Sequence, residues 1–111
     1  MPGEGLGVAM SAQLSLAFDR ERTIDEAFAR FHQDNPHVYD ELKMLALRAR
    51  RRGASKIGIG MLFEVLRWRQ TLRTDGDAYK LNNNYRSRYA RMLMAEPELA
   101  GCFETRGLRA A

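Results

Sequence analysis

Apolar side chains in this chain recur at helical spacing, and the runs are separated by helix-breaking residues. That punctuation constrains the fold more than any other feature. Ile24, Ala27, Phe28 and Phe31 fall on one helical face, followed by Asn35-Pro36. Val38, Leu42, Leu45, Ala46 and Ala49 form a second face, which ends on basic residues and Gly53. Met61, Leu62, Val65, Leu66, Trp68 and Leu72 make a wide third stripe, with Glu64, Arg67 and Gln70 read as pointing away. Tyr85, Tyr89, Met92 and Leu93 mark a fourth helix, and Glu96-Pro97 leads into a short fifth anchored by Leu99, Cys102 and Phe103. No repeat and no low-complexity tract interrupts this series.

The expected fold is therefore mostly α: a compact bundle of four to five helices. Its predicted core is Phe28, Phe31, Leu42, Leu45, Leu62, Val65, Leu66, Trp68, Tyr89, Leu93 and Phe103. Thr23-Ile24-Asp25-Glu26 reads as a capping box that starts the ordered part. Residues 1–22 are then a flexible leader, 23–106 a single helical domain and 107–111 a tail. Ser55 is the expected cap of the third helix and the Asn82–Asn84 run that of the fourth. Asp75-Gly76 leaves two options, a helix–helix loop or a short β-hairpin that would act as a wing.

With 111 residues, a core can form without staples, and the single cysteine, Cys102, permits no internal disulfide. A reducing, cytoplasmic setting is expected. No apolar run approaches the length of a membrane span, so no membrane partner is expected.

Charge is strongly segregated beneath the net +4. Residues 1–42 carry three basic and eight acidic side chains, net −5; residues 43–73 carry nine and one, net +8; the remainder carry six and five, net +1. A block as basic as 43–73 favours acidic partners.

Several stretches, taken together, resemble one small family: Phe31-His32-Gln33-Asp34-Asn35-Pro36-His37-Val38-Tyr39, Leu62-Phe63-Glu64-Val65-Leu66-Arg67-Trp68, Lys80-Leu81-Asn82-Asn83-Asn84-Tyr85, Tyr89-Ala90-Arg91, Pro97-Glu98-Leu99 and Phe103-Glu104-Thr105-Arg106. They are similar to short accessory proteins of unassigned function encoded in phages and prophages. The likeness spans roughly residues 23–109. It implies an intracellular accessory role and brings no functional residues with it.

Catalytic chemistry finds no foothold. His32 and His37, with Asp34, lack further ligands for a metal. Cys102 has no adjacent base. Gly58-Ile59-Gly60 lacks the remaining residues of a nucleotide loop. No catalytic residue, metal or cofactor is expected. Nucleic-acid binding is the leading expectation. Arg50, Arg51, Arg52 and Lys56 would neutralise phosphates, while Asn83, Asn84, Arg86 and Arg88 would present base-reading groups at the start of the fourth helix, in a helix-turn-helix-like arrangement. The alternative is a protein-binding module or inhibitor of a host protein, using Tyr39, Trp68, Tyr79 and Tyr85 as anchors. Either a monomer or a homodimer fits both readings.

Overall fold

A computed structural model describes the backbone of residues 2–73 and 79–104, with side chains from residue 14 onward. Among the described residues four α-helices follow one another: α1 (Pro2–Asp34), α2 (Pro36–Arg51), α3 (Ile59–Leu72) and α4 (Arg86–Met94). Single 3-10 turns at Asn83–Tyr85 and Pro97–Leu99 take the places of an early α4 start and of the expected fifth helix. The Asp75-Gly76 turn and the 107–111 tail lie outside the described residues. The hairpin alternative finds no support: Thr71 and Leu72 are helical, and no strand occurs among the described residues.

The expected helix start at Thr23 is corrected. Thr23 lies inside α1, and its hydroxyl donates to the Asp19 carbonyl at 2.8 Å, one turn back, instead of capping. Residues 2–22, read from sequence as a leader, belong to the same helix. Asn35, which its type and place before Pro36 suit to an N-cap of α2, makes no side-chain cap hydrogen bond. Its backbone and side-chain amides both donate to the Phe31 carbonyl, at 2.8 and 3.1 Å, closing α1, while Pro36 starts α2 with no donor to satisfy. Gly53 ends α2 at φ +107°, where a Cβ would be strained. The third helix begins at Ile59, not at Ser55, because Ile57 is extended. Its amide donates to the Cys102 carbonyl at 2.7 Å, and it forms a parallel bridge with Phe103.

The core is built from Val38, Leu42 and Ala46 of α2, Leu62, Phe63 and Leu66 of α3, and Tyr89, Ala90 and Leu93 of α4. Leu99, Cys102 and Phe103 close it from the C-terminal side. Aromatic rings join the helices. Phe28 of α1 meets Tyr89 edge-on at 4.8 Å and Tyr85 at 5.6 Å, and Phe63 meets Tyr89 at 6.0 Å. Such pairs contribute about 0.5–1.5 kcal/mol each beyond their burial. Phe28, Phe31 and Leu45 are half-buried against this centre.

Trp68 departs furthest from the predicted core: it is 63% exposed, and Met61 and Leu72 are 60% and 61% exposed. At about 100° per residue, Leu62, Phe63 and Leu66 define one side of α3, and Met61, Trp68 and Leu72 fall nearly opposite. The wide stripe read from sequence merges these two faces. Arg67 and Gln70, read as solvent-facing, border the buried side. The Gln70 side-chain amide donates to the Tyr79 carbonyl at 2.7 Å and accepts from the Tyr79 amide at 3.0 Å. Arg67 donates to the Leu81 carbonyl at 2.8 Å and to Asn83 Oδ1. These bonds lay residues 79–83 along α3, which buries Tyr79 and Leu81.

Candidate functional site

The basic residues singled out from sequence fall into two groups. One lies at the end of α2. A helix of this spacing turns Arg48, Arg50, Arg51 and Arg52 outward, and all four are exposed. Arg51 is not free, however. Its Nε and Nη2 donate to the two carboxylate oxygens of Glu98 at 3.0 and 2.9 Å. That pairing holds the Glu98 carboxyl below its ordinary range, chiefly through the Arg51 hydrogen bond. Lys56 donates to the Gly101 carbonyl at 2.9 Å. Two of the four expected phosphate contacts therefore clasp the segment after α4, leaving Arg50 and Arg52 as the outward-facing pair.

The second group surrounds the start of α4, where Asn82 Oδ1 accepts the Asn84 amide at 2.8 Å and turns the chain into the helix. Asn83, Asn84, Arg86 and Arg88 border one shallow cleft of about 380 Å3 together with Glu21 and Glu104. Arg86 donates through Nε to the Asn83 carbonyl at 3.2 Å, and its guanidinium lies over Gly60. Arg88 is the most deeply held: its side chain is 12% exposed and donates to Asp25 at 2.8 Å and to Glu21 at 2.6 Å. Burial pulls its pKa down, but the hydrogen bonds it donates to Asp25 and Glu21 outweigh that and raise it. Arg88 thus anchors α1 to α4. Segment 98–104 connects the two groups, since Glu98 holds Arg51, Gly101 holds Lys56 and Glu104 lines the cleft. Four carboxylates, Glu21, Asp25, Glu98 and Glu104, stand among these cations and offset much of their charge.

The exposed side of α3 has the opposite character. Met61, Trp68 and Leu72 recur at i, i+7 and i+11 with half-buried Val65 between them, a continuous apolar ridge of about three turns. Sequence reasoning placed every residue of this ridge in one apolar stripe with Leu62 and Leu66, and assigned Val65 and Trp68 to the core. The signal that separates the faces is Phe63, which the stripe omitted, together with the hydrogen-bonding capacity of Arg67 and Gln70 on the buried side.

The groups considered for chemistry differ in burial: Cys102 is buried, His32 half-buried and His37 exposed. The His32 ring stacks on Phe28 at 6.0 Å, and His37 meets Tyr79 edge-on at 5.4 Å. No group of three or more His, Cys, Asp or Glu side chains suited to a metal occurs among the described residues. Among the same residues, no helix is long and apolar enough to cross a membrane. Comparison with known protein families, with curated proteins and with solved structures finds no match for this chain.

Proposed function

We propose that this protein is a non-enzymatic docking module that binds a protein partner through the exposed ridge of α3. One observation carries the reading: Met61, Trp68 and Leu72, each about three-fifths exposed, line one side of a helix whose other side carries the buried Leu62, Phe63 and Leu66. Methionine and tryptophan are types enriched at interface centres, and contiguous exposed apolar surface marks interaction sites. Arg69 flanks the ridge and supplies the polar rim such a site needs.

The test is a photo-cross-linking amino acid in place of Trp68, with the same residue in place of Glu64 as the off-ridge control. A discrete protein adduct at position 68 and none at position 64 is the expected result. Absence of any adduct at 68 overturns the reading.

Nucleic-acid binding is the second reading, favoured by the exposure of Arg48, Arg50 and Arg52 on the last turns of α2. It calls for retardation of DNA or RNA at low salt, weakening steeply as salt rises. Arg50→Ala with Arg52→Ala should weaken binding to all sequences alike. Arg51→Ala would act through the Glu98 contact instead.

A further inference from the structure

α2 and α3 form an antiparallel hairpin. Residues 52–58 join them, they pack against each other, and at the far end Arg73, which closes α3, donates to Glu41 of α2 at 2.8 Å. One edge of the hairpin faces α4: Tyr39 and Lys43 of α2 reach Glu96, Phe63 of α3 meets Tyr89, and Arg86 lies over Gly60. The ridge of α3 lies on the other edge. On α2, Glu41, Arg48 and Arg52 recur at i, i+7 and i+11, the same spacing as Met61, Trp68 and Leu72, so they share one line of that helix. The contact of Glu41 with Arg73 shows that this line borders α3. With Glu41 level with Arg73 in an antiparallel pair, Met44 stands at a level between Trp68 and Leu72, Arg48 near that of Val65 and Arg52 near that of Met61. Met44, one turn before Arg48, is 61% exposed and extends the apolar surface across the groove between the two helices.

Charge along this groove is one-sided. Four cations of residues 43–73 are matched within the chain: Lys43 by Glu96, Arg51 by Glu98, Arg67 by Glu64 and Arg73 by Glu41. The side chains of Arg48, Arg52 and Arg69 have no ion pair or hydrogen bond among the described residues. Arg48 and Arg52 are exposed on the α2 wall, and Arg69, half-buried, falls between the ridge and the buried side of α3.

We infer that the groove's occupant is an acidic amphipathic helix of a partner protein, its apolar side on Met61, Trp68 and Leu72 and its carboxylates against Arg48, Arg52 and Arg69. This rests on the docking reading above and names the partner's chemistry. A groove between two helices takes a third through anchors at i, i+3 or i+4 and i+7, and the ridge offers them about three turns, roughly 16 Å. Arginine's planar guanidinium suits carboxylates, and charges at the rim of an apolar contact select the partner. A nucleic-acid backbone would engage the arginines and leave the ridge in water.

Two synthetic helical peptides of about 14 residues, long enough to cover the ridge, test this by fluorescence anisotropy against the full chain at micromolar concentration and physiological salt. Both carry leucine at i, i+4, i+7 and i+11; one has glutamate at the flanking positions and the other lysine. The glutamate peptide should bind and the lysine peptide should not. Trp68 is the chain's only tryptophan, so its emission should shift to the blue as the glutamate peptide covers it. Arg48→Glu with Arg52→Glu should weaken the glutamate peptide by at least about tenfold and let the lysine peptide bind. Arg30→Glu with Arg91→Glu, exposed on α1 and α4, changes net charge equally and should alter binding by no more than about twofold. Trp68→Ala should abolish binding of either peptide. Each substitution falls on an exposed side chain, and an unchanged circular dichroism spectrum will show that the variants fold. A control pair as damaging as the groove pair overturns the inference. Equal binding of both peptides that still requires Trp68 sinks the acidic partner and keeps the docking reading. If neither peptide binds, the inference falls, and the adduct at position 68 decides the docking reading by itself. A DNA duplex that displaces the glutamate peptide and shifts Trp68 emission gives the groove to nucleic acid and overturns both.

Discussion

Tyr89 lies at the centre of the molecule, fully buried, yet its hydroxyl has no hydrogen-bond partner among the described residues. Burial raises its pKa, so it stays a neutral phenol. A buried hydroxyl without a partner costs about 1–3 kcal/mol. Tyr89→Phe keeps the ring contacts with Phe28 and Phe63 and is expected to leave the thermal midpoint unchanged or raise it. A clear fall in the midpoint would show that the hydroxyl is bonded in solution. Tyr39 behaves differently: its hydroxyl donates to Glu96 at 2.9 Å, and Lys43 pairs with the same carboxylate at 3.1 Å. Burial first, then the Glu96 hydrogen bond, pushes the Tyr39 phenol up to about 12. An unfolded tyrosine ionises near ~10. The folded pKa is the higher one, so this stabilisation is fully present below pH ~10 and is lost as pH rises from there through about 12. Urea unfolding across that window should show stability falling in the wild type and falling less in Tyr39→Phe. Parallel slopes would remove Tyr39 from the account.

At the scale of elements, α1 and α3 depart most from their sequence patterns. Thr23 followed by Glu26 satisfies the capping pattern, but a capping box operates only where the helix begins, and α1 is already helical there. A lost N-cap costs about 0.5–2 kcal/mol, whereas a mid-helix threonine bonded one turn back contributes little. Thr23→Ala should therefore be neutral or slightly stabilising by chemical denaturation. A loss of a full cap's magnitude would place a helix start at Thr23 after all. For α3, the two faces should separate energetically. Leu66 is fully buried, and Leu66→Ala should cost about 2–5 kcal/mol. Trp68→Gln, on the exposed ridge, should change the stability of the isolated protomer by no more than ~0.5 kcal/mol. Both are read from denaturant midpoints, with the tryptophan variant followed by circular dichroism. Comparable losses from the two substitutions would mean the ridge is core.

At the scale of the whole molecule, the extents of 62 × 33 × 20 Å reflect a helical body with one long helix leaving it. The body is held by an apolar centre and by a peripheral set of polar clasps: Arg88 to Glu21 and Asp25, Arg51 to Glu98, and Tyr39 and Lys43 to Glu96. Most of these are exposed pairs, which contribute only about 0–1 kcal/mol each. Their role is register: they set where α1, α2 and the 96–101 segment lie relative to α4. The same clasps limit the basic surface, because cations tied to carboxylates of their own chain cannot also neutralise phosphates without releasing them.

Local spacing was enough to read the helical class, the breaks at Asn35-Pro36 and Gly53, the cap at Asn82, and core positions such as Leu42, Leu66, Tyr89 and Phe103. These depend on backbone restriction at proline and glycine and on a 3.6-residue period, both written into neighbouring residues. Which side of α3 is buried was not legible in this way. Apolar residues occupy both sides of that helix, Leu62, Phe63 and Leu66 on one and Met61, Val65, Trp68 and Leu72 on the other, and the choice follows from the 79–83 segment hydrogen-bonding to Gln70 and Arg67. The fate of the basic residues was equally hidden. Nothing near Arg88 or Arg51 in the chain announces that Glu21, Asp25 and Glu98 will meet them, at separations of 47 to 67 residues. Tertiary structure decided that, because it sets which charges are spent on the fold and which face outward.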